Sequence, residues 1–121
     1  MKCGPWEDLG LQYGRMCIYS NVYAVYVRFD WDDEKARENY RKHGVLFETA
    51  AQVFDDPDFV MFPDRDVDGE ERWHTIGRVL GVLVLLVVHT FLEEEEEEIV
   101  RIISAREVTA HERRRYENSQ Q

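Results

Sequence analysis

Cysteine is almost absent from this sequence of 121 residues. Its two examples, Cys3 and Cys17, both fall within the first 17 residues. Neither a disulfide framework nor a cysteine-built zinc site is expected, and a reducing cytoplasm fits. Long apolar runs are absent too. The most apolar stretch, Val82 to Val88, is far short of the ~20 residues that span a bilayer, so no membrane association is expected. Lys2 is followed by Gly, Pro and acids, so no signal peptide is expected. The four histidines, His43, His74, His89 and His111, are far apart and none has zinc-site spacing. There is no phosphate-binding glycine loop and no G-x-S-x-G turn. No metal and no cofactor is expected.

What is present describes one ordinary globular domain. The length suffices for one modest core. The hydrophobic fraction of 44% and aromatic fraction of 12% are not those of a disordered chain. The formal net charge is -10, which alone argues against nonspecific nucleic-acid binding. The charges are unevenly placed, however. Glu93 to Glu98 supply six of the 25 acids in one run. From Ile99 onward, five arginines (Arg101, Arg106, Arg113, Arg114, Arg115) stand against three glutamates (Glu107, Glu112, Glu117). The C-terminal stretch is locally basic.

Residues 1–26 show little periodicity and are expected to be a poorly ordered leader or the product of a misassigned start. A domain over residues 27–117 and a short tail over 118–121 follow. Part of Val22 to Phe29 reads as a first strand. Asp30 and Asp32 are candidate N-caps, and Gly44 is placed to end the first helix. Only Ala36 and Tyr40 mark a buried side for that helix. Phe47, Ala50, Ala51 and Phe54 give a second helix one apolar face, and Pro57 stops it. Phe59 to Phe62 reads as a short strand and Pro63 to Glu71 as an acidic turn. Strands are expected at Arg72 to Val79, Val82 to Phe91 and Ile99 to Ala105, with the glutamate run as a solvated hairpin loop. Thr109 and Glu112 form a T-x-x-E capping box for a last short helix. The expected class is α+β: a small antiparallel sheet of four to five strands, two N-terminal helices packed on it, and a short C-terminal helix.

The polar groups at strand and helix ends are the candidates for chemistry. Strand alternation puts Arg72, His74, Ile76 and Arg78 on one face and Trp73, Thr75, Gly77 and Val79 on the other. In the last strand it pairs Arg101 with Ile103, and Ile102 with Ser104 and Arg106. Each candidate has a plain reading: His89 as a strand-end histidine with its bonds satisfied, Arg72 and Arg101 as cross-strand partners of acids, and the triple arginine as a solvated helix face.

Several segments together resemble the BrnT toxin family, of RelE-like ribonuclease fold. They are Phe29-Asp30-Trp31-Asp32 with Lys35-Ala36-Arg37-Glu38-Asn39, Lys42-His43-Gly44-Val45 with Phe47-Glu48, and Ala50-Ala51 with Val53-Phe54 and Asp56-Pro57. Glu71-Arg72-Trp73 with Thr75-Ile76-Gly77 follows, then Val87-Val88-His89-Thr90. Last come Arg101-Ile102-Ile103-Ser104-Ala105-Arg106 and Glu112-Arg113 with Arg115-Tyr116-Glu117. The order covers about Phe29 to Glu117. Residues 1–26 look additional to the family pattern, and the hairpin carrying the glutamate run is longer and more acidic than usual.

The resemblance implies metal-independent RNA cleavage and arrest of translation. It also implies neutralisation by a cognate BrnA-type antitoxin in a hetero-oligomer, which reaches operator DNA only through the antitoxin. RNA cuts itself when a 2′-OH attacks the neighbouring phosphate. Arginine suits the phosphate, because its planar fork binds phosphate bidentately and stays charged. Histidine suits proton transfer near neutrality. Arg72 and Arg106 are expected on the phosphate, and His89, then His43, as general acid or base. Arg101, Trp73 and Arg113 are expected to contact RNA. The competing reading is a catalytically inactive toxin homologue that binds an antitoxin and co-represses an operator.

Overall fold

Helix ends follow local chemistry. The computed structural model describes residues 15–19, 26–67, 69–94 and 97–119. Helix α1 is Asp33–His43. The Asp32 carboxylate accepts the Glu34 N–H at 2.8 Å. Gly44 closes the helix at φ 70, a left-handed value that glycine adopts without a Cβ penalty, and its N–H donates to the Tyr40 carbonyl. Acids fill the first turn and bases the last, as the helix dipole favours. The buried side differs from the expected one. Tyr40 is 53% exposed, whereas Asn39 is 5% exposed.

Asn39 is buried because it acts as a substitute strand. Its amide donates to the carbonyls of Val45 (3.0 Å) and Ala105 (2.9 Å), and its oxygen accepts the Ala105 N–H at 3.0 Å. Helix α2 is Phe47–Ala51, and a 3-10 turn, Gln52–Asp55, replaces its expected last turn. That turn lies directly on Gly77. A Cβ there would sit 2.7 Å from Val53 Cγ1 and 2.8 Å from the Val53 carbonyl oxygen.

The sheet has strands β1 Arg15–Tyr19, β2 Tyr26–Asp30, β3 Val60–Val67, β4 Glu70–Val79, β5 Leu83–Glu94 and β6 Glu97–Glu107. Their order is β1-β2-β6-β5-β4-β3. All neighbours are antiparallel except β2 and β6, which run parallel. Strands β2 to β6 are the expected sheet, and β1 adds a strand at the edge. Residues 1–14 and 20–25 of the expected leader, and residues 120–121 of the tail, lie outside the described residues. The acidic stretch after Pro63 is strand rather than turn. Asp66 and Val67 pair with Glu71 and Glu70, after a register shift at Pro63. An edge strand tolerates this proline because its outer N–H groups face no neighbour. The glutamate run likewise lengthens the hairpin strands: Glu93 pairs with Glu98 and Glu94 with Glu97.

One bulge decides which face each β6 side chain takes. Val88 pairs with Ser104 but His89 pairs with Ile102, so Ile103 is the extra residue. Simple alternation across Ile102–Arg106 therefore fails. Ile102 and Ala105 face the helices, while Arg101, Ser104 and Arg106 share the opposite face. On the helix face, Phe29, Val100, Ile102, Ala105 and Val87 pack with Trp31, Phe47 and Ala50. Each such large side chain contributes about 1.5–3 kcal/mol on burial. On the other face, Ile76, Val84 and Leu86 pack with Tyr116 of helix α3, Ala110–Asn118. The expected capping box is complete, with both reciprocal bonds between Thr109 and Glu112 formed.

Candidate active site

Helix α3 covers one end of its face, and cationic residues run along the face from that end. Alternation along β4 puts Arg72 two residues from His74, on the face away from α1 and α2. His74 pairs with Val88, and Val88 with Ser104, while Thr90 pairs with Arg101 and Arg101 with Asp30. Residues directly opposite in a sheet share a face. Arg72, Thr90, Arg101, His74, Ser104 and Arg106 thus lie on one surface built from β4, β5 and β6. Arg28, on β2 opposite Ile99, joins them.

The cations differ in their engagements. Arg101 donates to Asp30 Oδ2 at 3.3 Å, with Arg101 half-buried and Asp30 buried. Arg106 is held bidentately. Its two terminal nitrogens lie 2.8 and 2.9 Å from the Glu112 carboxylate oxygens. Those bonds outweigh burial and pull the Glu112 carboxyl down to about 2, and they raise the Arg106 guanidinium above its ordinary value. Arg72 is half-buried, and its Nε is enclosed with no hydrogen-bond partner among the described residues. The Thr90 hydroxyl is in the same state. Among the described residues no acid pairs with Arg72, so its charge stays open to an anion.

Other expected site residues lie elsewhere. His89 is fully buried on the helix face. Its Nε2 is 2.7 Å from Thr75 Oγ1, and its ring meets Phe54 and Phe91 edge-on at 5.1 and 5.0 Å. Burial pushes its pKa down to about 4, helped by the charge of His74. It is neutral near pH 7 and has the whole sheet between it and Arg72. Trp73 shares the helix face and stacks edge-on with Phe91 at 5.9 Å. His43 is exposed in the last turn of α1, also on that side. Arg113 is half-buried in α3, the helix over the cationic face. The expected set therefore divides: Arg72 and Arg101 lie level with one another across Thr90, Arg106 lies further along the same face, and His89, Trp73 and His43 do not join them.

Three residues of the face were not singled out by sequence reasoning. Arg28 and Asp30 flank Phe29 in a strand, and that alternation was a usable signal. Thr90 carries no local signal. Among the described residues, no group of three or more His, Cys, Asp or Glu could hold a metal ion. No helix among them is long and apolar enough to cross a membrane.

No curated protein matches the chain. The 1.1 Å crystal structure of the Brucella abortus ribonuclease toxin BrnT superposes with a TM-score of 0.50 at 23% identity, covering 65% of this chain and 92% of that one. This likeness speaks for the fold alone. A family model described as the ribonuclease toxin BrnT of type II toxin-antitoxin systems matches residues 31–112, more than half of the chain. The chain therefore belongs to the BrnT family of ribonuclease toxins.

Proposed function

We propose that this protein cuts RNA on the face built by β4, β5 and β6, by metal-independent attack of a 2′-OH on the adjacent phosphate. Arg72 and Arg101 bind the phosphate and stabilise the charge that grows on its oxygens. Arg106 joins them when Glu112 yields to the phosphate. Arrest of translation follows from the loss of RNA. A BrnA-type antitoxin neutralises the activity in a hetero-oligomer and carries the complex to operator DNA. The observation that carries this reading is the bulge at Ile103, which turns Arg106 and Arg101 to the face of Arg72. Fixed cationic donors at such a phosphate contribute about 10²–10³-fold each.

One observation favours the binding-only reading instead. Glu112 occupies both terminal nitrogens of Arg106, and an inactive homologue would keep such a pair permanently closed. Purified wild type, Arg72→Ala and Arg101→Ala, compared on a single-stranded RNA in EDTA, decide between them. Cleavage by wild type that falls about 10²-fold in each variant supports the enzyme. Equal cleavage by all three proteins removes the phosphate assignment, and no cleavage by any favours the co-repressor.

A further inference from the structure

The reaction needs a group to take the 2′-OH proton, and the buried histidine behind the sheet cannot reach it. We propose that His74, oriented by Asp64, is that base; this inference rests on the RNA-cleaving reading above. His74 is on the same strand and face as Arg72, two residues away, which is about 7 Å along a strand. One nucleotide can touch both. Its Nε2 lies 3.1 Å from Asp64 Oδ2, and the pair is partly open to solvent. The ring is held edge-on against Phe62 at 5.4 Å, and the Arg115 guanidinium lies 3.8 Å over that Phe62 ring. A carboxylate accepting Nε2–H fixes the tautomer that leaves the Nδ1 lone pair available. It also stabilises the imidazolium that forms, as in other histidine–carboxylate pairs. Among the described residues, the charged or titratable groups around His74 are Asp64 on β3, Arg72 on its own strand, Arg115 on α3, and His89 from behind the sheet.

The step balances, with water as a proton relay that is not consumed. The 2′ oxygen attacks phosphorus and gives its proton to His74 Nδ1. The bond from O2′ to phosphorus forms, and the bond from phosphorus to O5′ breaks with its electron pair. The departing O5′ takes a proton from water, and the hydroxide left behind takes the proton from His74. The products are a 2′,3′-cyclic phosphate and a 5′-OH.

The test compares His74→Gln, Asp64→Asn, His89→Gln and Arg72→Ala on one RNA, with thermal melting to check folding. His74→Gln is expected to lower kcat by about 10²-fold or more, with KM within threefold, and to lose the acidic limb of the kcat/KM pH profile. Asp64→Asn is expected to keep that limb but lower kcat, because the imidazole loses the carboxylate that orients it. His89→Gln is expected to keep the limb in place. Retention of the acidic limb or of near-wild-type kcat in folded His74→Gln, with Arg72→Ala inactive, overturns the base assignment and leaves RNA cleavage standing. A wild type inactive on RNA overturns both.

Discussion

Replacing Glu112 by Gln removes one charge and the oxygen that accepts Arg106 Nη2 at 2.9 Å. The amide oxygen can still accept the Thr109 N–H, which the carboxylate accepts at 2.9 Å, so the capping box survives. What is lost is the charged half of the fork on Arg106. In the folded protein the Glu112 carboxyl titrates at about 2 instead of the ordinary 4.5. That difference corresponds to a ceiling of about 3 kcal/mol. The Arg106 side chain is 35% exposed, so solvent screening brings the expected contribution to about 1–2 kcal/mol. The sign follows from the direction of the shift. The folded pKa is lowered, so the contribution is whole above pH 4.5 and is lost as pH falls towards 2. Urea unfolding of wild type and Glu112→Gln at pH 7, 5, 4 and 3 measures it. The expected gap is about 1–2 kcal/mol at pH 7 and 5, with less than half of it left at pH 3. A gap that stays constant across this range, or none at pH 7, would refute the ion-pair reasoning.

The same variant frees the Arg106 guanidinium, so its affinity for RNA is expected to rise severalfold in a binding titration at fixed low salt. For His89, the folded pKa of about 4 lies below the unfolded 6.5; its stability contribution is whole above pH 6.5 and is lost as pH falls through 4. His89→Gln should flatten the stability–pH curve in that window by up to about 3 kcal/mol, again read by urea unfolding. Asn39→Ala leaves the Ala105 N–H and carbonyl without the amide that pairs them, and a loss of about 2–4 kcal/mol in chemical denaturation is expected. Gly77→Ala pushes a methyl against the Val53 carbonyl, and a drop of about 1–3 kcal/mol is expected by thermal unfolding.

Local features were legible in the sequence, and those needing a partner strand were not. Asp32, Gly44, Thr109 and Glu112 act through bonds to residues within a few positions, so their roles could be read from spacing alone. The grouping of Arg72 with His74 also followed, because β4 alternates without interruption. Ile103 marks where that logic stopped. Ile102-Ile103-Ser104 reads as a plain strand, and the bulge exists only in register with Val88 and His89. His89 looked like the end of a buried strand, but that strand continues to Glu94, which seals the imidazole under Phe54 and Phe91. Asn39 looked like surface helix because nothing nearby shows that its partner is Ala105, 66 positions away. Asp64 sits in a stretch whose sequence reads as an acidic turn, so only the β3–β4 pairing brings it beside His74.

The parallel pairing of β2 with β6 has a consequence for the order of events during synthesis. The second strand leaves the ribosome early, yet its only inward neighbour is the last strand made. Until Glu98 to Arg101 arrive, β2 has no place in the sheet, Asp30 has no Arg101, and Asn39 on α1 has no Ala105 to grip. Contacts so far apart along the chain are slow to close. The cationic face spans β2 and β4 through β6, so it is among the last surfaces completed on the nascent chain.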